Sequence, residues 1–226
     1  VRATRAERLR RFAKGIGART LVNQMDATDA HAIALMGRPD RVAMNPPFGN
    51  VLDEAGNSKD FPIINHVTKA ATTKSIDIAI ALNTFEAMAP NGKGFAIIGA
   101  KTGTAHNGIS TDDKARAETY RRADLIEFFQ RFNVVSWFTI GGDLYRTMGA
   151  GWPVDMIVVH GKGKTPRPEA GGLVPPWVRP PRVIESWSEL EKLIGGESKP
   201  MTTYQRGDRV TWVGKHDRES GTVRFV

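Results

Sequence analysis

The fold is decided by residues 75–99, which read SIDIAIALNTFEAMAPNGKGFAIIG. Residues 76–88 carry apolar side chains nearly all the way round a helix, which is typical of a buried helix. Pro90, Asn91 and Gly92 end it, and residues 94–99 form a continuous apolar run that predicts a strand covered on both faces. A buried helix followed at once by a buried strand predicts an α/β open sheet.

The segments on either side continue the alternation of strands and helices. The expected strands at 134–140 and 154–160 are separated by a glycine-rich connection short enough for a hairpin. This predicts an antiparallel pair that closes the sheet. The expected elements are strands at 20–25, 41–44, 134–140 and 154–160, a short helix capped by Asp29, and one helix from 112 to about 132.

Composition divides the chain into three regions. Residues 1–162 carry the α/β pattern, and residues 163–200 are rich in proline, which predicts a linker followed by a short helix. Residues 201–226 contain two alternating strands that predict part of a small SH3-like β-barrel.

The overall composition excludes several classes of protein. The 226 residues are 40% hydrophobic, which argues against disorder, and they contain no apolar run long enough for a membrane span. The absence of cysteine excludes disulfides, thiolate nucleophiles and cysteine-ligated zinc, and it favours a cytoplasmic protein. The five histidines are scattered, so no metal site is predicted. A net charge of +8 favours a polyanionic partner such as nucleic acid.

The residues with the clearest chemistry follow the strand at 41–44. They are Asn45, Pro46, Pro47 and Phe48. The two prolines stiffen the backbone where the strand leaves the sheet. The carbonyls of the Asn45 side chain and the Pro46 backbone can accept both hydrogens of an exocyclic amine, and Phe48 offers a flat face for stacking a base. The segment is suited to holding an amine while its nitrogen attacks an electrophile.

This tetrad resembles motif IV of the class I, S-adenosylmethionine-dependent amino-methyltransferases, (Asn/Asp/Ser)-Pro-Pro-(Tyr/Phe). The resemblance covers residues 1 to about 160 and implies a Rossmann-like sheet, here incomplete at its N-terminal half, with a C-terminal antiparallel hairpin. It implies methyl transfer from S-adenosylmethionine to N6 of adenine in DNA, with base flipping. Asn45, Pro46, Pro47 and Phe48 are then the catalytic residues.

The same resemblance suggests roles for residues elsewhere in the chain. Asp26, with Ala27, follows the strand at 20–25 and matches the acidic residue that binds the cofactor's adenine amine; the alternative is a simple turn or cap. In the hairpin loop at 141–153, Tyr145 is the candidate for stacking on the extruded base. Trp152 is the second candidate, and the alternative is that both only anchor the loop.

The chain departs from the family at the cofactor site. The glycine-rich loop after the family's first strand and the acidic residue after its second have no counterpart here, so we expect them upstream of Val1. Residues 73–163 are also similar to the methylase module found beside strawberry-notch-type helicases. This implies a helicase domain on the same or a neighbouring chain as a partner, in addition to DNA.

Other functions are open at this stage. RNA amino-methyltransferases share the motif, and the basic, aromatic C-terminal strands suggest a non-catalytic nucleic-acid-binding module. Residues 94–102 resemble a phosphate-binding loop, but Ala100 separates Gly99 from Lys101, so nucleoside triphosphate binding is not predicted.

Overall fold

A computed structural model describes Glu7 and residues 26–35, 37–63, 72–103, 108–146, 151–194, 209–213 and 218–222. The chain divides into two compact units, of which the larger runs from Asp26 to Leu190. The strand predicted at 20–25 lies outside the described residues.

The larger unit is built on a five-stranded sheet with the order β1-β4-β6-β5-β7. Strands β1 and β4 are parallel, as are β5 and β7, whereas β6 is antiparallel to both of its neighbours. Four of the five strands therefore run in the same direction, which is compatible with the predicted Rossmann-like sheet. The strands are β1 (Arg41–Met44), β2 (Phe61–Pro62), β3 (Thr72–Thr73), β4 (Lys93–Gly99), β5 (Phe132–Ile140), β6 (Val154–Lys162) and β7 (Arg182–Ile184), with β2 and β3 forming a separate pair.

Helices lie between these strands. Asp29 caps the first, as predicted, because its carboxylate accepts hydrogen bonds from the backbone of His31 and Ala32. The helices are α1 (Ala30–Ala34), α2 (Ile76–Ala87), α3 (Asp113–Thr119), α4 (Ala123–Arg131), α5 (Gly142–Arg146) and α6 (Trp187–Ile194), with a 3-10 turn at Pro168–Ala170.

The helix that decides the fold is buried as the sequence predicts. The strand after it is buried on one face, whereas Phe95 and Ile97 of its other face are only half-buried. Phe85 of α2 is fully buried and packs edge-on against the rings of Phe128 and Phe132. Its ring covers Gly94 of β4, where a Cβ atom would lie only 2.5 Å from the ring. Gly94 thus lets the helix approach the sheet closely.

The single helix predicted from 112 to about 132 is wrong, because the chain breaks into α3 and α4. Tyr120 ends the first helix, and Arg122 takes an extended backbone before the second begins. The Arg122 side chain binds Asp124 at 2.5 Å and Ser75 at 3.1 Å. These bonds compensate for the interrupted helical backbone and tie the break to the start of α2.

The proline-rich region from 163 contains more structure than a linker. Within it, β7 adds to the edge of the main sheet beside β5. The Pro181 carbonyl accepts a hydrogen bond from Arg116 at 2.9 Å, and Trp177 packs against Phe129 with ring centroids 5.0 Å apart. Residues 163–184 are therefore held against the rest of the larger unit by a buried arginine and an aromatic pair.

Two strands occur in the C-terminal region, as the sequence predicts, and the second begins earlier than the expected residues 221–226. β8 (Arg209–Val213) and β9 (Arg218–Thr222) form an antiparallel pair with Thr211 opposite Ser220. This pair forms a two-stranded sheet of its own. An SH3-like barrel in this region stays a prediction.

A buried carboxylate lies at the centre of the sheet. Asp155 of β6 has no exposed surface and accepts hydrogen bonds from Tyr120 and Thr139, each at 2.7 Å. Burial raises the pKa of Asp155 from its ordinary value of 3.8, although both hydrogen bonds act in the opposite direction. The charged form is therefore less favourable in the folded chain than in water.

This shift predicts an unusual pH dependence for Asp155→Asn. A carboxyl group whose pKa is raised by folding lowers the free energy of unfolding of the protein as the pH rises from 3.8 through the folded value. The free energy of unfolding of the variant, relative to that of the wild type, should therefore be higher at pH 7.5 than at pH 4. Urea unfolding at both pH values tests this, with exposed Asp60→Asn as the control for net charge. The opposite trend would contradict this assignment.

Candidate functional site

A cavity of about 760 Å³ opens where β1 and β4 end. Parallel strands bring their carboxyl ends to one edge of a sheet, and ligands of open α/β sheets bind there. Its volume is in the range of small-molecule sites. The lining residues are Phe48, Gly49, Asn50, Ser75, Asp77, Gly99, Ala100, Lys101, Thr102, Gly103, Thr119, Arg122 and Trp152.

The predicted catalytic segment lies on one side of this cavity. Asn45 is exposed, Pro46 is buried, Pro47 is exposed and Phe48 is half-buried. Gly49 has a φ of +99°, which favours glycine and turns the chain directly after Phe48. The structure thus places Phe48 in the cavity wall and leaves Asn45 at the surface.

Two contacts hold this segment in place. Asn50 forms an antiparallel bridge with Ser75, the residue before α2. Phe48 packs against a small apolar cluster that includes Ile140, Val154 and Ile184. The aromatic ring is therefore supported from behind by the sheet.

Asp77 forms the buried acidic part of the wall. It is only 1% exposed, and its Oδ2 accepts a hydrogen bond from the Gly99 backbone at 2.8 Å. Its Oδ1 is buried and has no hydrogen-bond partner among the described residues. A buried carboxylate oxygen without a donor is costly, which is typical of ligand sites.

Lys101, the second residue after β4, lines the cavity. Burial lowers the pKa of its ammonium group below the ordinary value, while the nearby carboxylates of Asp77, Asp155 and Asp124 act in the opposite direction. The residue is half-buried. The site therefore contains a partly desolvated cation and an unsatisfied carboxylate oxygen.

A network of hydrogen-bonded polar side chains includes two residues of the cavity wall, Ser75 and Arg122. Asp124 binds Arg122 through both of its oxygens, and it accepts a hydrogen bond from Thr73 at 2.6 Å. Arg122 also donates to Ser75. The network joins the break between α3 and α4 to the start of α2, so it fixes the walls of the cavity.

The predicted cofactor contacts lie outside the cavity lining. Asp26 and Ala27 are exposed. Asp26 Oδ1 accepts hydrogen bonds from the Thr28 backbone at 2.9 Å and from its hydroxyl at 2.7 Å. This is the geometry of an Asx turn, the alternative that the sequence left open. The cofactor role of both residues stays a prediction.

The two aromatic candidates of the hairpin loop differ in what the structure describes. Tyr145 belongs to α5, but its side chain lies outside the described residues, so its stacking role stays a prediction. Trp152 is half-buried and lines the cavity. The second candidate is thus the one that the structure places in the wall of the same cavity as Phe48.

Sequence reasoning missed several residues of this wall, chiefly Asp77, Lys101 and Arg122. A signal existed for the first two. Asp77 is a charged residue in the first turn of a largely apolar helix, and Lys101 is the second residue after an apolar strand. No local signal connects Arg122 to the site, because its placement depends on the break between two helices.

Comparisons with known proteins do not assign this chain to a family. No protein-family model matches the sequence, and no curated protein matches it. A chain from a structural study of complex assembly and conformational transition in the type I R-M system aligns with 77% of this chain. The identity is 14%, the TM-score is 0.42, and the alignment covers 32% of that chain, so this chain spans about a third of its length.

In the part of the chain that the structure describes, there is no group of three side chains suited to binding a metal ion and no helix long and apolar enough to cross a membrane.

Proposed function

We propose that this chain holds the target base of an S-adenosylmethionine-dependent methyltransferase that acts on the N6 amine of adenine in DNA. One observation carries the proposal. The Asn-Pro-Pro-Phe segment leaves β1 at its carboxyl end, and it places Phe48 in the wall of a cavity shared with the residues after β4.

The segment would hold the reacting amine through two acceptors. The side-chain carbonyl of Asn45 and the backbone carbonyl of Pro46 each take one N–H of the amine. These bonds draw the nitrogen towards tetrahedral geometry and direct its lone pair outward. Because Pro46 is buried and followed by a second proline, its carbonyl is held on a stiff backbone. Orientation of this kind supplies much of a transfer reaction's rate.

The cavity would receive the extruded base. Phe48 is supported from behind by the apolar cluster, so its ring can form a flat stacking surface. Trp152 lines the same cavity and offers a second aromatic surface. Stacking on aromatic rings compensates for the stacking that a base loses when it leaves the duplex.

The cofactor would supply an electrophilic methyl group. Of the described residues, Asp26 could accept a hydrogen bond from the cofactor's adenine amine, because a carboxylate keeps acceptor capacity beyond its turn contacts. Its Asx turn gives that carboxylate a defined orientation. The methionine and ribose contacts have no candidates among the described residues, and no step is assigned to them.

The excess of positive charge favours a nucleic acid over a protein substrate. The chain carries 32 basic and 24 acidic residues. Contacts to phosphates raise affinity without reading sequence, so this charge suits a polynucleotide of either kind. DNA is proposed first and RNA is the second candidate.

Substitution of Phe48 tests the stacking role. In the native gene product that contains this sequence, Phe48→Ala should raise the KM for DNA by about 5- to 150-fold, since one base–aromatic stack contributes about 1–3 kcal/mol. Phe48→Tyr should keep a KM near that of the wild type, because it preserves the ring. Incorporation of radiolabelled methyl groups into DNA gives both values. Equal KM values for the alanine and tyrosine variants would contradict base stacking.

A further inference from the structure

We infer that Lys101 selects the substrate: its ammonium group donates a hydrogen bond to the ring nitrogen that lies beside the reacting amine of the base. This inference rests on the proposed function and goes beyond it, because it assigns a specificity-determining residue outside the Asn-Pro-Pro-Phe segment. It also states which feature of the base is read.

The position of Lys101 is the first argument. It is the second residue after β4, and it lines the same cavity as Phe48. The chain around it is fixed: Ala100 donates a backbone hydrogen bond to Pro153 at 3.1 Å, and Thr102 accepts one from Ser110 at 2.9 Å. The ammonium group is thus carried on an ordered backbone at the carboxyl edge of the sheet.

Lys101 has no polar partner among the residues that the structure describes. Among the described residues, its ammonium makes no hydrogen bond and no ion pair within 4.0 Å. Asp77 contributes attraction through the cavity without forming such a pair. A partly desolvated cation without a partner among the described residues is available to a ligand that supplies an acceptor.

Nearby charges act on the Lys101 ammonium group in both directions, and burial, the largest cause, lowers its pKa. Asp77, Asp124 and Asp155 all favour the protonated form, whereas Arg122 and burial oppose it. Asp77 is itself immobilised, because its Oδ2 accepts the Gly99 N–H at the end of β4. Asp77 is thus a fixed carboxylate in the same cavity wall, and its charge favours the protonated form of Lys101.

The chemistry of the base completes the assignment. If the amine is held by Asn45 and Pro46, the neighbouring atom of adenine is a ring nitrogen acceptor, either N1 or N7. A charged donor at Lys101 matches that acceptor. A base in which the nitrogen is replaced by C–H would leave the ammonium group unpaired, and sites built to hydrogen-bond a substrate reject such analogues strongly.

The test measures nucleoside binding, which does not require methyl transfer. Isothermal titration of the chain with 2′-deoxyadenosine, its 1-deaza analogue and its 7-deaza analogue compares the three ligands. The wild type should bind one of the deaza analogues at least about 10-fold more weakly than deoxyadenosine, as expected for a lost bond to a charged donor. Lys101→Met should bind all three with the same, weaker affinity.

Each other result has a defined meaning. If Lys101→Met binds deoxyadenosine as tightly as the wild type, or if the wild type treats all three ligands alike, the role of Lys101 is overturned while the proposed function stands. If the wild type binds none of the nucleosides, the base-binding cavity itself is contradicted, and the proposed function fails with it.

A stability measurement separates recognition from a structural role. Burial lowers the pKa of Lys101, so the charged side chain disfavours the folded state at neutral pH. Lys101→Met should therefore unfold at the same or a higher urea concentration than the wild type. Lys93→Met, an exposed lysine at the other end of the same strand, is the matched control. A clear loss of stability in Lys101→Met alone would indicate a structural role and overturn the inference.

Discussion

Asn45→Ala is expected to reduce the rate of methyl transfer to DNA by about 1000-fold or more in the native gene product that contains this sequence. The variant loses the side-chain acceptor that orients the reacting amine, and the loss of one such positioned group typically costs 100- to 1000-fold or more. The affinity for S-adenosylmethionine should stay nearly unchanged, because Asn45 is assigned to the substrate. Single-turnover transfer and cofactor titration measure the two quantities separately.

Asn57→Ala is the control for this substitution. Asn57 is also exposed, and its described hydrogen bonds to Asp53 are made by its backbone. The control should transfer methyl groups at the wild-type rate. Asn45→Ala with wild-type activity would contradict the assignment of the motif, whatever the control shows.

Phe85→Ala is expected to lower the free energy of unfolding by about 4 kcal/mol, the middle of the range for deleting a buried phenylalanine. The side chain is fully buried between α2, α4 and β5, with ring centroids 6.2 Å from Phe128 and 5.5 Å from Phe132. Gly94 beneath it has no side chain to fill the resulting space. Equilibrium urea unfolding measures the change.

Leu35→Ala is the control for apolar truncation, since Leu35 is 74% exposed. It should change the free energy of unfolding by less than about 0.5 kcal/mol. A loss below about 1 kcal/mol for Phe85→Ala would show that the contact between α2 and the sheet is less important than the structure indicates.

Much of the fold could be predicted from the sequence because its core elements have strong local patterns. The all-round apolar character of 76–88 and the apolar run at 94–99 identify α2 and β4 without tertiary information. The glycine-rich connection at 141–153 likewise indicates the antiparallel pair of β5 and β6. The helix is buried all round and the β5–β6 pair is joined by a short connection, so pattern and structure coincide for these elements.

Two elements were beyond local reasoning for physical reasons. The break at Tyr120–Arg122 depends on Asp155, Ser75 and Asp124, whose contacts are made only after the chain has folded. Strand β7 is only three residues long and lies in a proline-rich segment without a local strand pattern. Its extended conformation is set by pairing with β5. Tertiary hydrogen bonds decide both.

The candidate site divides in the same way. A stiff Asn-Pro-Pro-Phe segment after a strand has a recognisable chemistry, so this part of the site could be identified from the sequence. The remaining wall comes from residues far apart in the chain, Asp77, Lys101, Arg122 and Trp152, which the sheet brings together. Only the folded structure shows that, among the described residues, one carboxylate oxygen and one ammonium group there have no hydrogen-bond partner.

The most direct test of the central claim is mass spectrometry of nucleosides from the genomic DNA of a host without adenine methylation. The host expresses the native gene product that contains this sequence, or its Asn45→Ala variant. We predict N6-methyldeoxyadenosine with the wild type and background levels with the variant. Background levels with both proteins, or methylation confined to RNA or protein hydrolysates of the same cells, would contradict the account.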